Sequence, residues 1–314
     1  MNRLLYTILL AITSVLLSTA QATRPESISN YQAIFIPYYD ARGELSIAIR
    51  KFNRDYGLYY LSVNPFTFAT QIVQARKVDL SRPLLDRITN TPYQRALLVY
   101  TGEPYSLQNG GITHAKADVD GVFLTIDMCP SRKPFERNFF NALIKLVKLR
   151  HNPVPIAISI TGLWLQKHVT EFNWLLEQQA KQRLTITWIN HSFSHPYDSA
   201  KPLQQNFLLT SNISLRHEIL DVEQLLLEHG QIPSVFFRFP GLVADKNLML
   251  FLRELGLIPL GADAWLAKGQ KPKPGSIILI HGNGNEPRGI KLLLPQLPRL
   301  KLLSLTEVLK GASP

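Results

Sequence analysis

Apolar and polar positions fall into two regimes along the chain. From Thr23 to about Asp118 the pattern is mixed. Gln32 to Tyr38 reads as a strand, and Leu45, Ala48, Ile49 and Phe52 fall at helical spacing within Glu44 to Asp55. Phe66 to Arg76 reads as a second helix and Arg95 to Tyr100 as a strand. Tyr31, Tyr38, Tyr39, Tyr56, Tyr59 and Tyr60 read as core or interdomain packing, because aromatic rings dominate cores by area, with a carbohydrate-facing surface as the alternative. The turn cluster Gln108, Asn109, Gly110 and Gly111 marks a boundary. Beyond it the pattern is regular. Strand-like runs recur at Val122 to Asp127, Val154 to Ile160, Leu184 to Ile189, Val235 to Phe239, Leu257 to Gly261, Ser276 to His281 and Arg299 to Leu303. Helical patterns lie between them at Phe135 to Leu149, Val169 to Gln182, Leu215 to Glu228, Asp245 to Leu255 and Gly289 to Leu297. This alternation predicts an α/β fold, a parallel sheet or barrel with crossover helices.

One stretch stands out. Leu184 to Ile189 alternates apolar residues with threonine and then runs into a polar corner carrying His191 and His195, with Pro196 behind the second. The proline keeps the preceding residue out of helix, so the pair sits on a loop. Imidazole is the commonest metal-ligating side chain near neutral pH, and two on one loop make half of a divalent-metal site. In parallel barrels chemistry sits at the carboxyl ends of the strands. There the first regular run ends in Asp127, the third leads to His191 and His195, and the fourth carries Arg238. The fifth is followed by Asp263 and Trp265, and the sixth ends in His281. His114, His151, His168, His217 and His229 read as surface or capping residues.

Composition narrows the partners. The 314 residues are 46% hydrophobic and 18% charged, enough for one large domain or two smaller ones, and disorder is excluded as the default. A net charge of +11 favours an anionic partner. Met1 to Ala22 has a basic start at Arg3, an apolar run from Leu4 to Leu17 and a small-residue end closing in Ala20-Gln21-Ala22. This is the layout of a cleavable secretory signal, and the run is short of the ~20 residues a spanning helix needs. The expected protein is therefore secreted or periplasmic, with no stable membrane span after cleavage and no nucleic-acid partner. The expected divisions are a signal over residues 1–22, a region of unassigned role over 23–118, and a barrel over 119–314. A single cysteine, Cys129, rules out a disulfide framework.

The motifs resemble the polysaccharide deacetylase family, the carbohydrate esterases with the NodB homology domain, over roughly Gly121 to Leu309. FLTIDMCPS at Phe123 to Ser131 looks like the family's TFDD segment. NHSFSHP at Asn190 to Pro196 is similar to its H-[ST]-x-x-H-P metal motif. FFRFPG at Phe236 to Gly241 is similar to its R-x-P motif, IILIH at Ile277 to His281 to its L-x-H motif, and GADAWL at Gly261 to Leu266 more loosely to its Asp and Trp motif. The resemblance implies a distorted (β/α)7 barrel of NodB type with an additional N-terminal α/β region. It implies Asp127 as catalytic base, Arg238 as the base's partner and His281 as general acid. It also implies His191 and His195 as metal ligands, Leu279 and Trp265 as the apolar floor for an acetyl methyl group, Asp263 as a further substrate-side residue, and the Gly241 backbone N–H as an oxyanion donor. The implied cofactor is a divalent metal of the zinc type.

One position departs from that pattern. Met128 stands where the family has a second aspartate, and a thioether is a poor ligand for such a cation compared with a carboxylate. The expectation is a two-histidine site completed by water, with a metal-free site as the rival. Asp118 and Asp263 are the other candidates to reach in, Cys129 is adjacent but its place in the motif points it elsewhere, and Met128→Asp is expected to bind metal more tightly. The implied activity is removal of N-acetyl groups from amino sugars of a wall or extracellular polysaccharide, peptidoglycan or a chitin-like glycan, by Asp127 as base and His281 as acid. The alternative is a non-catalytic carbohydrate-binding protein on the same scaffold. Neither a Cys-His signature nor a G-x-S-x-G elbow supports thiol or serine catalysis.

Overall fold

The computed structural model describes residues 26–40, 42–79 and 85–309; the signal read over Met1 to Ala22 lies outside the described residues. The chain begins with an antiparallel meander, β1 (Ile28–Tyr39), β2 (Leu45–Arg54), β3 (Gly57–Val63) and β4 (Thr70–Gln74), paired in that order. Two helices follow, α1 (Leu85–Ile88) and α2 (Pro92–Tyr100).

Three expectations for this region are corrected. Glu44 to Asp55 is the strand β2, not a helix. Ile47 and Ile49 join the large core and Ala48 joins a smaller cluster with Tyr38 and Tyr60, so both faces are covered. A register shift between Ala48 and Arg50 then brings Phe52 into the same core as Ile49. A three-residue step across a bulge imitates helical spacing. Phe66 to Arg76 is also not a helix: the Asn64 side chain accepts from the backbone N–H groups of Phe66 and Thr67 at 3.0 and 3.1 Å, making a turn that leads into β4. Conversely, Arg95 to Tyr100 lies inside α2, which starts at a Thr91 cap accepting from the Gln94 N–H and at Pro92 in the first turn.

The second sheet carries the site. Its strands are β5 (Phe123–Met128), β6 (Val154–Ile160), β7 (Leu184–Asn190), β8 (Pro233–Phe237), β9 (Ile258–Pro259), β10 (Ala264–Trp265) and β11 (Ile277–His281). They pair in the order β10-β11-β5-β6-β7-β8-β9, every pair parallel. Helix α3 (Arg137–Arg150) links β5 to β6, α4 (Gly162–Lys167) and α5 (Val169–Ala180) link β6 to β7, α6 (Leu215–Glu228) links β7 to β8, and α7 (Lys246–Glu254) links β8 to β9. Helix α8 (Pro287–Leu293) follows β11. The result is a distorted seven-stranded α/β barrel, open between β9 and β10, with an extra N-terminal sheet. The expected strand at Arg299 to Leu303 reduces to a single bridge between Val122 and Leu302. The turn cluster at Gln108 begins a strut along the opening, with bridges from Gln108 to Val243, Ile112 to Leu260 and His114 to Ser276.

Strand alternation sorts the side chains. Leu124, Ile126 and Met128 of β5 and Ile278 and Ile280 of β11 pack into the outer cluster with Phe139, Phe140 and Leu293 of the helices. Phe123, Ile277 and Leu279 turn the other way, into a core shared with Ile47, Ile49 and Leu61 of the first sheet and with Tyr93 of α2. That shared core is crossed by one buried ion pair. Arg50 of β2 donates to both carboxylate oxygens of Glu223 in α6, at 2.6 and 2.9 Å, and to the backbone carbonyls of Ile49 and Leu255. Tyr31 donates to the same carboxylate at 2.9 Å. Among the described residues no helix is long and apolar enough to cross a membrane.

Candidate active site

The carboxyl ends of β5, β7, β8 and β11 surround a cavity of about 380 Å³. Asp127, Cys129, His191, His195, Gly241, Trp265, Leu279, His281 and Glu286 all line it. Asp127 is held by Arg238, whose Nη1 donates to its Oδ1 at 3.1 Å while Nη2 donates to the Gly261 carbonyl at 3.1 Å. Both groups are buried. An arginine at that distance keeps the carboxylate oriented in a place where an unpaired charge would be costly.

The histidine loop is under backbone strain. Ser192 and His195 sit at φ of 66° and 49°, in the left-handed region that side chains other than glycine visit rarely. Buried Glu218 of α6 holds the loop there, accepting from the backbone N–H groups of Phe193 and Ser194 at 3.0 and 2.9 Å and from the Ser194 hydroxyl. The His195 N–H donates to Ser192 Oγ at 3.2 Å. His191 Nδ1 faces the Arg238 carbonyl at 2.8 Å and therefore carries the proton, which leaves the Nε2 lone pair toward the cavity. That Nε2 is 3.5 Å from Cys129 Sγ and 3.9 Å from Asp127 Oδ2.

Here the structure corrects the expectation for β5. Met128 is buried in the outer apolar cluster, and Cys129, expected to point elsewhere, faces the two imidazoles. A strand's period of two explains it: Asp127 and Cys129 share one face and Met128 takes the other. Cys129, His191 and His195 offer ligand atoms within 4.8 Å of one another. An aspartate at position 128 would enter the outer cluster rather than the site. Met128→Asp is expected to leave metal affinity no tighter and to destabilise the fold by more than about 2 kcal/mol, read by chemical unfolding. A tighter metal complex at unchanged stability would contradict this.

Burial and neighbouring charges oppose each other in the cleft. Burial alone would push the Cys129 thiol up, but the imidazoles of His195, His281 and His191 override it and hold the thiol well below its ordinary range. The converse holds for His281. Burial lowers it, while Cys129, Glu286 and Asp127 together carry it well above an ordinary imidazole. Glu286 Oε2 is 3.0 Å from His281 Nδ1, at ion-pair distance but off the line of a hydrogen bond, and it accepts from the Trp265 indole N–H at 2.7 Å.

The cleft thus assembles Asp127, Arg238, His191, His195, His281, Trp265, Leu279 and Gly241. Asp263 is engaged elsewhere: its carboxylate meets His114 Nδ1 at 2.7 Å, the Ser276 hydroxyl at 3.1 Å and the Ile277 N–H at 3.0 Å. His114, read as a surface or capping residue, is therefore part of a tie between the strut and β11. Sequence reasoning missed the Cys129 orientation, Glu218 and Glu286. Alternation along β5 was the available signal for the first.

Residues 29–93 match the family model described as the RP012 protein N-terminal domain. Among solved structures, the chain is similar to a family 4 carbohydrate esterase from Bacillus anthracis, at 22% identity over 64% of this chain and 88% of that chain, with a TM-score of 0.45. It is similar to a family 4 pseudoenzyme from the same organism, at 15% identity over 65% and 70% with a TM-score of 0.43. A chitin deacetylase from Colletotrichum lindemuthianum matches at 14% over 66% and 94% with a TM-score of 0.45. The likeness is to family 4 carbohydrate esterases.

Proposed function

We propose that this protein is a secreted or periplasmic metal-dependent hydrolase that removes N-acetyl groups from amino sugars of a wall or extracellular glycan, peptidoglycan or chitin-like. The observation that carries the reading is convergence: a paired carboxylate, two loop imidazoles and a third imidazole from a different strand line one cavity. Amide hydrolysis needs a base for water, charge stabilisation at the carbonyl oxygen and an acid for the leaving amine, and this set contains a candidate for each.

Asp127 takes the proton of the attacking water, kept ionised by Arg238. The Gly241 N–H donates toward the developing oxyanion. His281 protonates the departing nitrogen. Trp265 and Leu279 receive the acetyl methyl group, which sets the preference for acetyl over longer acyl groups. His191 and His195 hold the cation. Their fit to one is supported by the His191 Nδ1 contact to a backbone carbonyl, which presents the other nitrogen as a lone pair. When bound, the cation supplies Lewis-acid activation of the carbonyl and of water. The net charge of +11 suits an anionic polymer such as a cell-wall glycan.

The test is acetate release from N-acetylated oligosaccharides of chitin and of peptidoglycan. Release that a chelator abolishes and a divalent cation restores supports the reading. No release from either substrate under any metal supplement would overturn it in favour of a carbohydrate-binding protein.

Glu286 is the positioning residue for the acid. Its carboxylate favours the protonated ring of His281, so its loss lowers the imidazole's pKa. The acid form is lost as pH rises through that pKa. Glu286→Gln is therefore expected to move the alkaline limb of the kcat/KM profile to lower pH, with activity at the acidic plateau within about tenfold of wild type. An alkaline limb at the same pH would remove Glu286 from this role.

A further inference from the structure

We propose that Cys129 is the third protein ligand of the metal centre, which makes it a Cys-His-His site selective for thiophilic cations of the zinc class over the hard cations magnesium, calcium and manganese. The inference rests on the reading of His191 and His195 as metal ligands and adds to it the residue that replaces the family's carboxylate.

Distance carries the first part. Zinc–sulfur and zinc–nitrogen bonds of about 2.3 and 2.0–2.1 Å at a tetrahedral angle place the two donor atoms roughly 3.5 Å apart. Cys129 Sγ and His191 Nε2 are 3.5 Å apart. His195 contributes a ring nitrogen within 4.8 Å of both, so a modest side-chain adjustment brings it into the same shell. Three protein ligands leave a fourth position facing the cavity, the layout of a catalytic rather than a structural zinc site.

The surroundings carry the second part. Each ligand is held from behind: His191 by the Arg238 carbonyl, the Cys129 backbone by the Asn283 side-chain amide at 2.6 Å, and the His195 loop by Ser192 and Glu218. Outer contacts of this kind fix ligand orientation. The nearby carboxylate, Asp127, is committed to Arg238, and Met128 is turned into the outer core. The donor set that remains is one sulfur and two imidazole nitrogens, and softness of the sulfur decides which cations it prefers.

Cys129 is the chain's only cysteine, so every thiolate signal reports this atom. The test is cobalt(II) titration of the full chain, followed by absorption. The wild type is expected to show tetrahedral d–d bands together with a sulfur-to-cobalt charge-transfer band in the near ultraviolet. Cys129→Ser is expected to lose the charge-transfer band and to bind zinc at least about 10–100-fold more weakly, the loss seen on removing even an outer-shell partner. Cys129→Asp is expected to bind cobalt without that band. Saturating zinc, but not magnesium, is expected to slow iodoacetamide labelling of the wild type. Unfolding of the metal-free variants alongside the wild type separates ligand loss from misfolding. Cobalt bound without the charge-transfer band, or labelling indifferent to zinc, overturns the proposal. In that event acetate release by the wild type still supports the deacetylase reading, whereas a sulfur-bearing centre with no release sustains the ligand and sinks the enzyme.

Discussion

Asp127→Asn is expected to lower kcat for acetate release by about 10² to 10⁴, the contribution of a positioned general base, while metal content stays at the wild-type level. The substitution keeps the shape of the side chain and a hydrogen-bond acceptor for Arg238, so the buried arginine is not left without a partner. What it removes is basicity. Initial rates on an N-acetylated oligosaccharide, with metal content measured on the same samples, check it. A variant within tenfold of wild type would show that another group takes the proton, and Asp127 would then be an anchor for Arg238 alone.

The second large effect concerns stability. Arg50→Met is expected to destabilise the protein by about 3–5 kcal/mol, the cost of breaking a buried pair and leaving one charge uncompensated. Arg50 and Glu223 are 0% and 1% exposed, and the pair joins β2 to α6 across the shared core. Tyr31 also donates to that carboxylate, but the substitution strips Glu223 and the carbonyls of Ile49 and Leu255 of the guanidinium donor together. Chemical unfolding followed by intrinsic fluorescence reads the loss. Because the first sheet and the barrel share that core, one transition is expected for both. The double variant Arg50→Met with Glu223→Leu is expected to recover part of the stability, since apolar replacements of buried pairs are often tolerated. A single variant within about 1 kcal/mol of wild type would mean that water reaches the remaining carboxylate.

The barrel was legible because its strands are continuous apolar runs, covered on both faces, that stop at polar residues. Those stops are the cleft: Asp127, His191 and His281 stand out against their strands in the sequence. Of the N-terminal meander the strand over Gln32 to Tyr38 was legible, inside β1, but β2 was not, because its signal is broken by a bulge. In β2 the step from Ile49 to Phe52 counts like a helix turn and is made by a register shift. Strand β9 lies inside the run read at Leu257 to Gly261, whereas β10, two residues long, was too short to announce itself. For Cys129 the motif order misled, since an alignment counts positions and a strand alternates faces. Glu286 and Glu218 had no local pattern. Each acts on a residue that its own neighbourhood does not name, and the pairing of Arg50 with Glu223 spans 173 positions. Long-range charge pairs of this kind leave no periodicity to read.

The most direct test is a crystal structure of the zinc-loaded protein with an N-acetylated chitin oligosaccharide bound to the Asp127→Asn variant. The account predicts one acetamide inside the cleft, its carbonyl oxygen toward the cation and the Gly241 N–H, its methyl group against Trp265 and Leu279, and its nitrogen within reach of His281. An oligosaccharide lying outside the cleft, or an acetamide that position 127 and His281 cannot reach together, would contradict it.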